Sequence, residues 1–350
     1  MGSAAQMTQA LPTTLRSEVT GEEVGPALSV IVVSWNGREI LRPCLVGLRE
    51  HLKGIKYETI VVDNASTDGT PEMVEREFPQ VRLVCNKENL GFGRGNNIGM
   101  AIARGEFFLL LNSDAWLIDE TPVRLVERLR SRPEVGVIGP RLRFADGRLQ
   151  SSAHRFGSLR RMLIEELGVY KLFSKARTGD LLMGGYWDHS EEREADWITG
   201  ACMLVRRAVF EETGGFDPTI FLYSEEVEWC HRIKRRGWLV LFSPVGEVMH
   251  IGHASADLLL GEEGRIDWCL MSSDRLTRAL HGPIAGALAP WIRIVGALLK
   301  LCFFSLGRVR KRDESYARDV RLGCKSLLRH YVRRALGRVS DRPQGSVDRA

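Results

Sequence analysis

The sequence predicts an α/β protein built on a doubly wound, mostly parallel sheet, and three observations carry that prediction. First, the short runs "LSVIVVSWN", "YETIVVDNASTDGT", "VRLVCN" and "FFLLLNSD" hold apolar, largely β-branched or leucine-rich stretches, each reading as a strand buried on both faces. Second, helical segments alternate with them, as βαβ units require. Third, the runs end on polar or turn-forming residues, which puts Ser34, Trp35 and Asn36, then Asp63 and Asn64, then Asn112, Ser113 and Asp114 along one carboxyl edge.

The elements follow in order. After the first strand, "REILRPCLVGLREHL" carries Ile40, Leu41, Leu45, Leu48 and Leu52 at helical spacing. The second strand leads to a helix over "PEMVEREF", with Pro71 suited to its first turn. The third leads through the glycine-rich "KENLGFGRGNNIG" into a helix over "NIGMAIARG". No register of that stretch gives G-x-G-x-x-G, and no G-x-x-x-x-G-K-[ST] occurs anywhere, so neither nucleotide fingerprint applies. It reads instead as a flexible, amide-rich turn able to approach a ligand closely.

After Pro140 the rhythm is lost. "RFADGRLQSSAHRFGSLRRMLIEEL" and "SEEREADW" read as a long irregular insertion with helical pieces. Order returns in "ITGACMLVRRAVFEETGGFDPTIFLYSEEVEWCHRIKRRGW", read as strand, helix, glycine turn and a helix beginning near Ser224. "LVLFSPVGEVMHIGHAS" adds at least one further strand.

Bulk properties narrow the class. With 350 residues, 44% hydrophobic and 27% charged, the chain has globular composition and room for about two domains. A net charge of +5 gives no support to nucleic-acid binding. Seven scattered cysteines without a C-x-x-C pair fit a reducing compartment, hence a cytoplasmic location, rather than a disulfide framework. Residues 1–26 are small and polar, with no secretory signature, and little order is expected there. Residues 261–340 read as a helical, basic, membrane-associating region. "GPIAGALAPWIRIVGALLKLCFFSLGRVRKR" is strongly apolar but interrupted by Pro283, Pro290, Arg293 and Lys300, which favours a helix lying in the interface or packed on the domain over a span. The Arg- and Lys-rich stretch behind it suits an anionic membrane surface.

Taken in order, "SVIVVSWN", "IVVDNASTDGT", "ENLGFGRGNNIG", "LLLNSD", "ITGACMLVRR", "GGFDPTIFLYSEEVEWCHR" and "VMHIGHAS" closely resemble the inverting glycosyltransferases of family 2, of GT-A fold. Within that family they look most like rhamnosyltransferase-type members that build bacterial surface polysaccharides. The resemblance covers roughly residues 28–255. It implies a nucleotide-binding half over 27–118 and an acceptor and catalytic half over 119–260. Ser34, Asn36, Asp63, Asn64 and Asp68 would hold base and ribose. Asn89, Gly91, Gly95, Asn96, Asn112 and Ser113 would complete the donor site.

By the same likeness Asp114 corresponds to the last acid of the family's metal-binding segment, here Asn-Ser-Asp with its first acid missing. A divalent cation, Mg²⁺ or Mn²⁺, would lie there with His250, His253 being the competing histidine. Glu226 would be the general base, with Glu225 as second candidate; both are also ordinary first-turn acids of a helix. Gly200 and Ala201 would form a small-residue bend beneath donor sugar and acceptor. Trp197 would stack on an acceptor sugar, an ordinary core tryptophan being the alternative. The implied substrates are a dTDP- or UDP-linked sugar, L-rhamnose among the candidates, and a saccharide or lipid-linked saccharide acceptor. The place of work is the inner face of the cell membrane. A sugar-phosphate nucleotidyltransferase of similar fold and a catalytically silent binding module are the competing classes.

Overall fold

A computed structural model describes residues 25–252, 254–305 and 314–339. Most of the N-terminal segment read as lacking order, and His253, lie outside the described residues. The four anticipated strands are β1 (Leu28–Ser34), β2 (Tyr57–Asp63), β3 (Arg82–Cys85) and β4 (Phe107–Asn112). They pair in parallel in the order β3-β2-β1-β4, with Ser34 in register with Asp63 and Val33 with Asn112. That register brings the polar strand ends to one edge. The linking helices are α1 (Arg38–His51), α2 (Thr70–Glu77) and α3 (Phe92–Ile102).

The glycine-rich stretch departs from its reading as a turn. Helix α3 begins at Phe92, so Gly93, Gly95 and Gly99 are helical. A Cβ on Gly99 would stand 2.4 Å from Ile31 Cγ2, one on Gly95 2.8 Å from Val33 Cγ1, and one on Gly93 3.1 Å from Phe216 Cβ. Gly95 and Gly99 let the helix lie close against β1 and Gly93 lets it lie against Phe216, a packing role that outweighs their poor helix propensity of about 1 kcal/mol each. Only Gly91, with φ of +81°, serves the turn itself.

Beyond β4 the sheet becomes mixed, which the alternating sequence pattern did not convey. The chain continues through β5 (Ala115–Leu117), α4 (Thr121–Ser131) and β6 (Val135–Arg143). The insertion then holds β7 (Leu149–Gln150), β8 (Ala153–His154), α5 (Leu159–Glu166), α6 (Lys175–Leu182), β9 (Arg193–Ala195) and β10 (Trp197–Ile198). Next come β11 (Cys202–Arg206), α7 (Arg207–Thr213), α8 (Glu225–Arg235) and β12 (Leu239–His250). Strand β11 leaves the Gly200–Ala201 bend at the carboxyl edge, so it runs antiparallel between β4 and β6. Strand β12 pairs parallel to β6 and antiparallel to β5.

Side chains alternate across the sheet, as strand geometry demands. Val30, Val32 and Leu109 pack with Leu41, Leu48, Leu125 and Leu129 on one face. Ile31, Val62 and Leu110 pack with Met100, Phe216 and Trp229 on the other. Each such side chain contributes roughly 1.5–3 kcal/mol when buried. Both layers draw on residues before and after 118, so the two halves share one core.

The C-terminal region is helical: α9 (Ala254–Ser305) is interrupted by non-helical Gly261 and Gly282, and α10 (Glu314–Ala335) packs along it. Arg293 and Lys300 face protein rather than lipid. Arg293 pairs with Asp274 and Lys300 with Glu166 of α5.

Candidate active site

The carboxyl edge of the sheet opens into a cleft of about 1040 Å³, the solvent at its mouth included. Ser34, Asn64, Asn89, Gly91, Asn112, Ser113, Asp114, Gly200, Ala201, Glu225, Glu226 and His250 all line it. Residues assigned from distant parts of the chain thus share one cavity. Buried polar groups normally find partners, yet among the described residues Ser34 Oγ, Asn112 Oδ1, Glu225 Oε2 and Glu226 Oε2 have none. Their convergence marks a surface built to bind something polar.

Four anticipated donor-site residues stand elsewhere. Gly95 lies against Val33 beneath α3, and buried Asn96 donates to the Phe92 carbonyl 3.0 Å away within its own helix. Asn36, at φ +46°, accepts from Thr67 N at 2.8 Å and so joins the first two loops. Asp68 accepts from Arg38 N at 3.0 Å and from Thr70 N at 3.1 Å, which holds the start of α2. Its oxygens are occupied by backbone. Asp63 is intermediate: Oδ2 accepts from Ser66 N at 2.9 Å, while Oδ1 is buried beside Ser34 with no partner among the described residues. Burial pushes its carboxyl above the usual range despite the Ser66 bonds.

Trp197 is also outside the cleft. Its indole stacks on His154 with centroids 4.1 Å apart, and Nε1 donates to the Arg155 carbonyl at 3.2 Å. One ring face and the N–H are thus occupied within the protein, while the residue stays half-buried. Burial holds His154 down to about 4, so the stacked pair carries no charge at neutral pH.

Tertiary pairing creates the Asp114–His250 contact. Asp114 follows β4, Ala115 is in register with His250, and Ile251 N donates to the Asp114 carbonyl at 3.0 Å. His250 Nε2 then stands 3.3 Å from Asp114 Oδ1 and 3.3 Å from Asn112 Nδ2. On the other side His250 Nδ1 lies 3.0 Å from Gln150 Oε1, an oxygen that only accepts. Gln150 Oε1 can accept the hydrogen of Nδ1, and in that tautomer Nε2 accepts from Asn112 Nδ2 beside Asp114. Among the described residues no group of three His, Cys, Asp or Glu side chains assembles a metal site. One carboxylate, one imidazole and Asn112 Oδ1, which has no partner among the described residues, are donors of the kind that would hold a divalent cation.

The carboxylate pair is held by strained backbone. Tyr223 and Ser224 have φ of +64° and +76° immediately before α8. Two such non-glycine residues cost about 1–3 kcal/mol each, a cost that the surroundings must offset. They do: Phe92 N donates to the Phe221 carbonyl at 3.2 Å, and Trp268 Nε1 of α9 donates to the Leu222 carbonyl at 2.8 Å. Gly91 is required here, since a Cβ would stand 2.3 Å from the Phe221 oxygen.

Glu226 Cβ neighbours Gly200, whereas Glu225 Cβ neighbours Gly93 on α3. Glu226 therefore faces the small-residue bend and Glu225 faces the helix. Burial pushes the Glu226 carboxyl up to about 7, overriding the amides at the α8 N-terminus. Burial first, then the Glu226 charge, raises Glu225 well above the carboxylate range. Near neutrality Glu226 can take a proton while Glu225 keeps one. Sequence reasoning missed Gln150, Thr199, Phe221, Tyr223 and Leu259, which also line the cleft. Their types carry no signal; long-range packing brings them in.

A mixed sheet whose carboxyl-edge cleft holds a strand-end aspartate and a pair of glutamates has the architecture of the GT-A fold. Residues 29–231 match the model of glycosyl transferase family 2, and the chain belongs to that family. It is 31% identical over 219 residues to the N-acetylglucosaminyl-diphospho-decaprenol L-rhamnosyltransferase of Mycobacterium tuberculosis, a match covering 55% of this chain and 65% of that one. It is 26% identical over 261 residues to the O-antigen biosynthesis protein RfbC of Myxococcus xanthus, covering 73% of this chain and 19% of the relative. The mannosyltransferase PcManGT of Pyrobaculum calidifontis, solved with GDP-Man and Mn²⁺, shares the fold with a TM-score of 0.56 at 17% identity, covering 90% of this chain and 88% of that one.

Proposed function

We propose that the protein is an inverting glycosyltransferase that moves a sugar, L-rhamnose being the leading candidate, from a nucleoside-diphosphate sugar to a lipid-linked saccharide. Bacterial surface-polysaccharide synthesis is the setting this reading supplies, and the cytoplasmic face of the membrane is the place of work. The observation that carries it is the presence, in one cleft, of the Asp114–His250 pair and a Glu226 oxygen that has no partner among the described residues. The 31% identity to a rhamnosyltransferase supports the sugar and the lipid-linked acceptor.

In this reading Asp63 Oδ1 accepts from the pyrimidine or ribose of a dTDP- or UDP-linked donor, with Ser34 and Asn64 beside it. Asp114, His250 and Asn112 Oδ1 hold a divalent cation, Mg²⁺ or Mn²⁺, which when bound offsets charge on the diphosphate. Gly200 and Ala201 leave room for the sugar. Glu226 removes the acceptor hydroxyl proton as that oxygen attacks the anomeric carbon from the side opposite the diphosphate, inverting the centre in one displacement. Glu225, keeping its proton, adds no second negative charge.

The test is Glu226→Gln. Transfer should fall by about 10³-fold or more, within the range for loss of a general base. Nucleoside-diphosphate binding, read by titration calorimetry, should stay within about twofold. Near-normal turnover would reject the assignment.

A further inference from the structure

The second half of α9 presents an unusual surface. Ile284, Leu288, Trp291, Val295, Leu298 and Phe303 are all exposed, from 46% for Leu288 and Val295 to 74% for Ile284. They recur every three to five positions, so they form one stripe roughly 30 Å long at 1.5 Å per residue. The positions exposed between them are also uncharged: Pro283, Ala287, Leu299 and Cys302. Soluble monomers rarely leave so continuous an apolar face open.

The charged residues of this segment are turned the other way. Arg293 is buried against Asp274, and Lys300 is paired with Glu166. A Cβ on Gly296 would stand 2.7 Å from Glu166 Cβ, so α5 and α9 meet backbone to side chain. With one face committed to protein and ion pairs, the helix lies against a surface rather than passing through a bilayer.

The choice of surface follows from charge. Along α10, packed on α9, the exposed residues Arg318, Leu322, Lys325, Arg329, Val332 and Leu336 fall at spacings of three and four. That stripe mixes cations with aliphatic side chains, the pattern of a helix seated among anionic headgroups. Lys171 Nζ lies 5.3 Å from the Phe303 ring centroid, placing another cation at the rim of the apolar face. A second copy of this chain would bring two such basic stripes together, which like charge opposes.

We infer that the exposed faces of α9 and α10 form a docking surface for an anionic lipid bilayer, with residues 283–303 lying in the plane of the interface. The first half of α9 joins that surface to the chemistry. Leu259 lines the cleft, and Trp268 and Ser272 donate to the Leu222 carbonyl at 2.8 and 3.2 Å. Docking therefore sets the cleft beside the headgroup layer, where a lipid-linked acceptor carries its sugar; this last step alone rests on the function proposed above.

The experiment is flotation of the full chain with phosphatidylglycerol-containing vesicles and with pure phosphatidylcholine vesicles. No donor or acceptor is present, so failure of the sugar-transfer reading leaves the result intact. Wild type should float with anionic vesicles at least tenfold better than with zwitterionic ones. Trp291→Glu with Leu298→Glu, both at exposed positions, should abolish flotation while leaving the thermal melt and nucleoside-diphosphate affinity unchanged. Lys325→Glu with Arg329→Glu should remove the anionic preference. Absence of wild-type flotation, or flotation that survives the Trp291 and Leu298 changes, overturns the proposal. So does light scattering that shows a dimer dispersed by those changes without vesicle binding.

Discussion

The two walls of the cleft are built differently. On the side proposed to hold the donor, the loops after β1 and β2 are tied to one another by Asn36 to Thr67 and Asp68 to Arg38, and the second loop to itself by Asp63 to Ser66 and Asp68 to Thr70. On the base wall, which bears the proposed base, Tyr223 and Ser224 hold left-handed backbone, Glu225 is buried and Glu226 half-buried, and each keeps a buried oxygen with no partner among the described residues. Its stability comes from afar, through Phe92, Gly91 and Trp268. A rigid wall suits recognition of an invariant nucleotide. A strained wall keeps buried carboxyl groups that a relaxed loop would release to water.

The contrast predicts a hierarchy of effects. Glu226→Gln should be the most severe for transfer, about 10³-fold or more, with Glu225→Gln much milder because its side chain faces α3. Equal losses in both would erase the distinction between the two acids, as measured by initial rates at saturating donor. Gly91→Ala should come next, through the fold itself. Its φ of +81° and the Phe221 oxygen at 2.3 Å from the new Cβ together should cost about 2–4 kcal/mol in urea unfolding, by the strain scale for such sites. A loss below about 0.5 kcal/mol, within the range of an unremarkable surface change, would show that the base wall is not anchored there.

Gln150→Leu removes the acceptor for His250 Nδ1 and frees the ring to turn. Mn²⁺ affinity in the presence of nucleoside diphosphate, read by electron paramagnetic resonance, should fall about 10–100-fold. Gln150→Glu, which keeps the accepting oxygen, should restore most of it. The pH dependence comes next. Burial raises Glu226 to about 7, so its base form is lost on acidification, and kcat/KM should fall about tenfold per pH unit below neutrality. Stability of the ligand-free protein runs the other way. The protonated glutamates contribute fully below the ordinary carboxylate range, and that contribution is lost as pH rises through about 7. Opposite slopes in a rate profile and a thermal-melt profile would sharpen the comparison; parallel slopes would break it. Smallest is Asp68→Ala, which removes backbone bonds at the start of α2. It should cost about 1 kcal/mol of stability, as loss of a cap does, with nucleotide affinity unchanged.

Much of the parallel half was legible from single runs, because a strand buried on both faces has a composition of its own and its polar end is visible where the run stops. Ser34, Asn64 and Asp114 were found that way and all line the cleft. The glycine stretch misled, since a glycine needed for helix packing and one needed for a turn look alike in sequence. Gly95 and Gly91 are four residues apart and do those two different things. Trp197 misled for a similar reason: an indole suits a sugar face and a histidine face equally well.

The sequence by itself determined the alternation that makes the sheet, the edge at which its acids gather, and the motif order that carries the family. Composition and local spacing act within a few residues, and those features are local. Only the tertiary structure decided that β11 runs antiparallel, that β12 lays His250 beside Asp114, that Gln150 fixes the imidazole, and that α9 clamps the loop bearing the glutamates. Each of those contacts joins segments tens of residues or more apart. Their free energy exists only once the core has closed and excluded water from the groups between them.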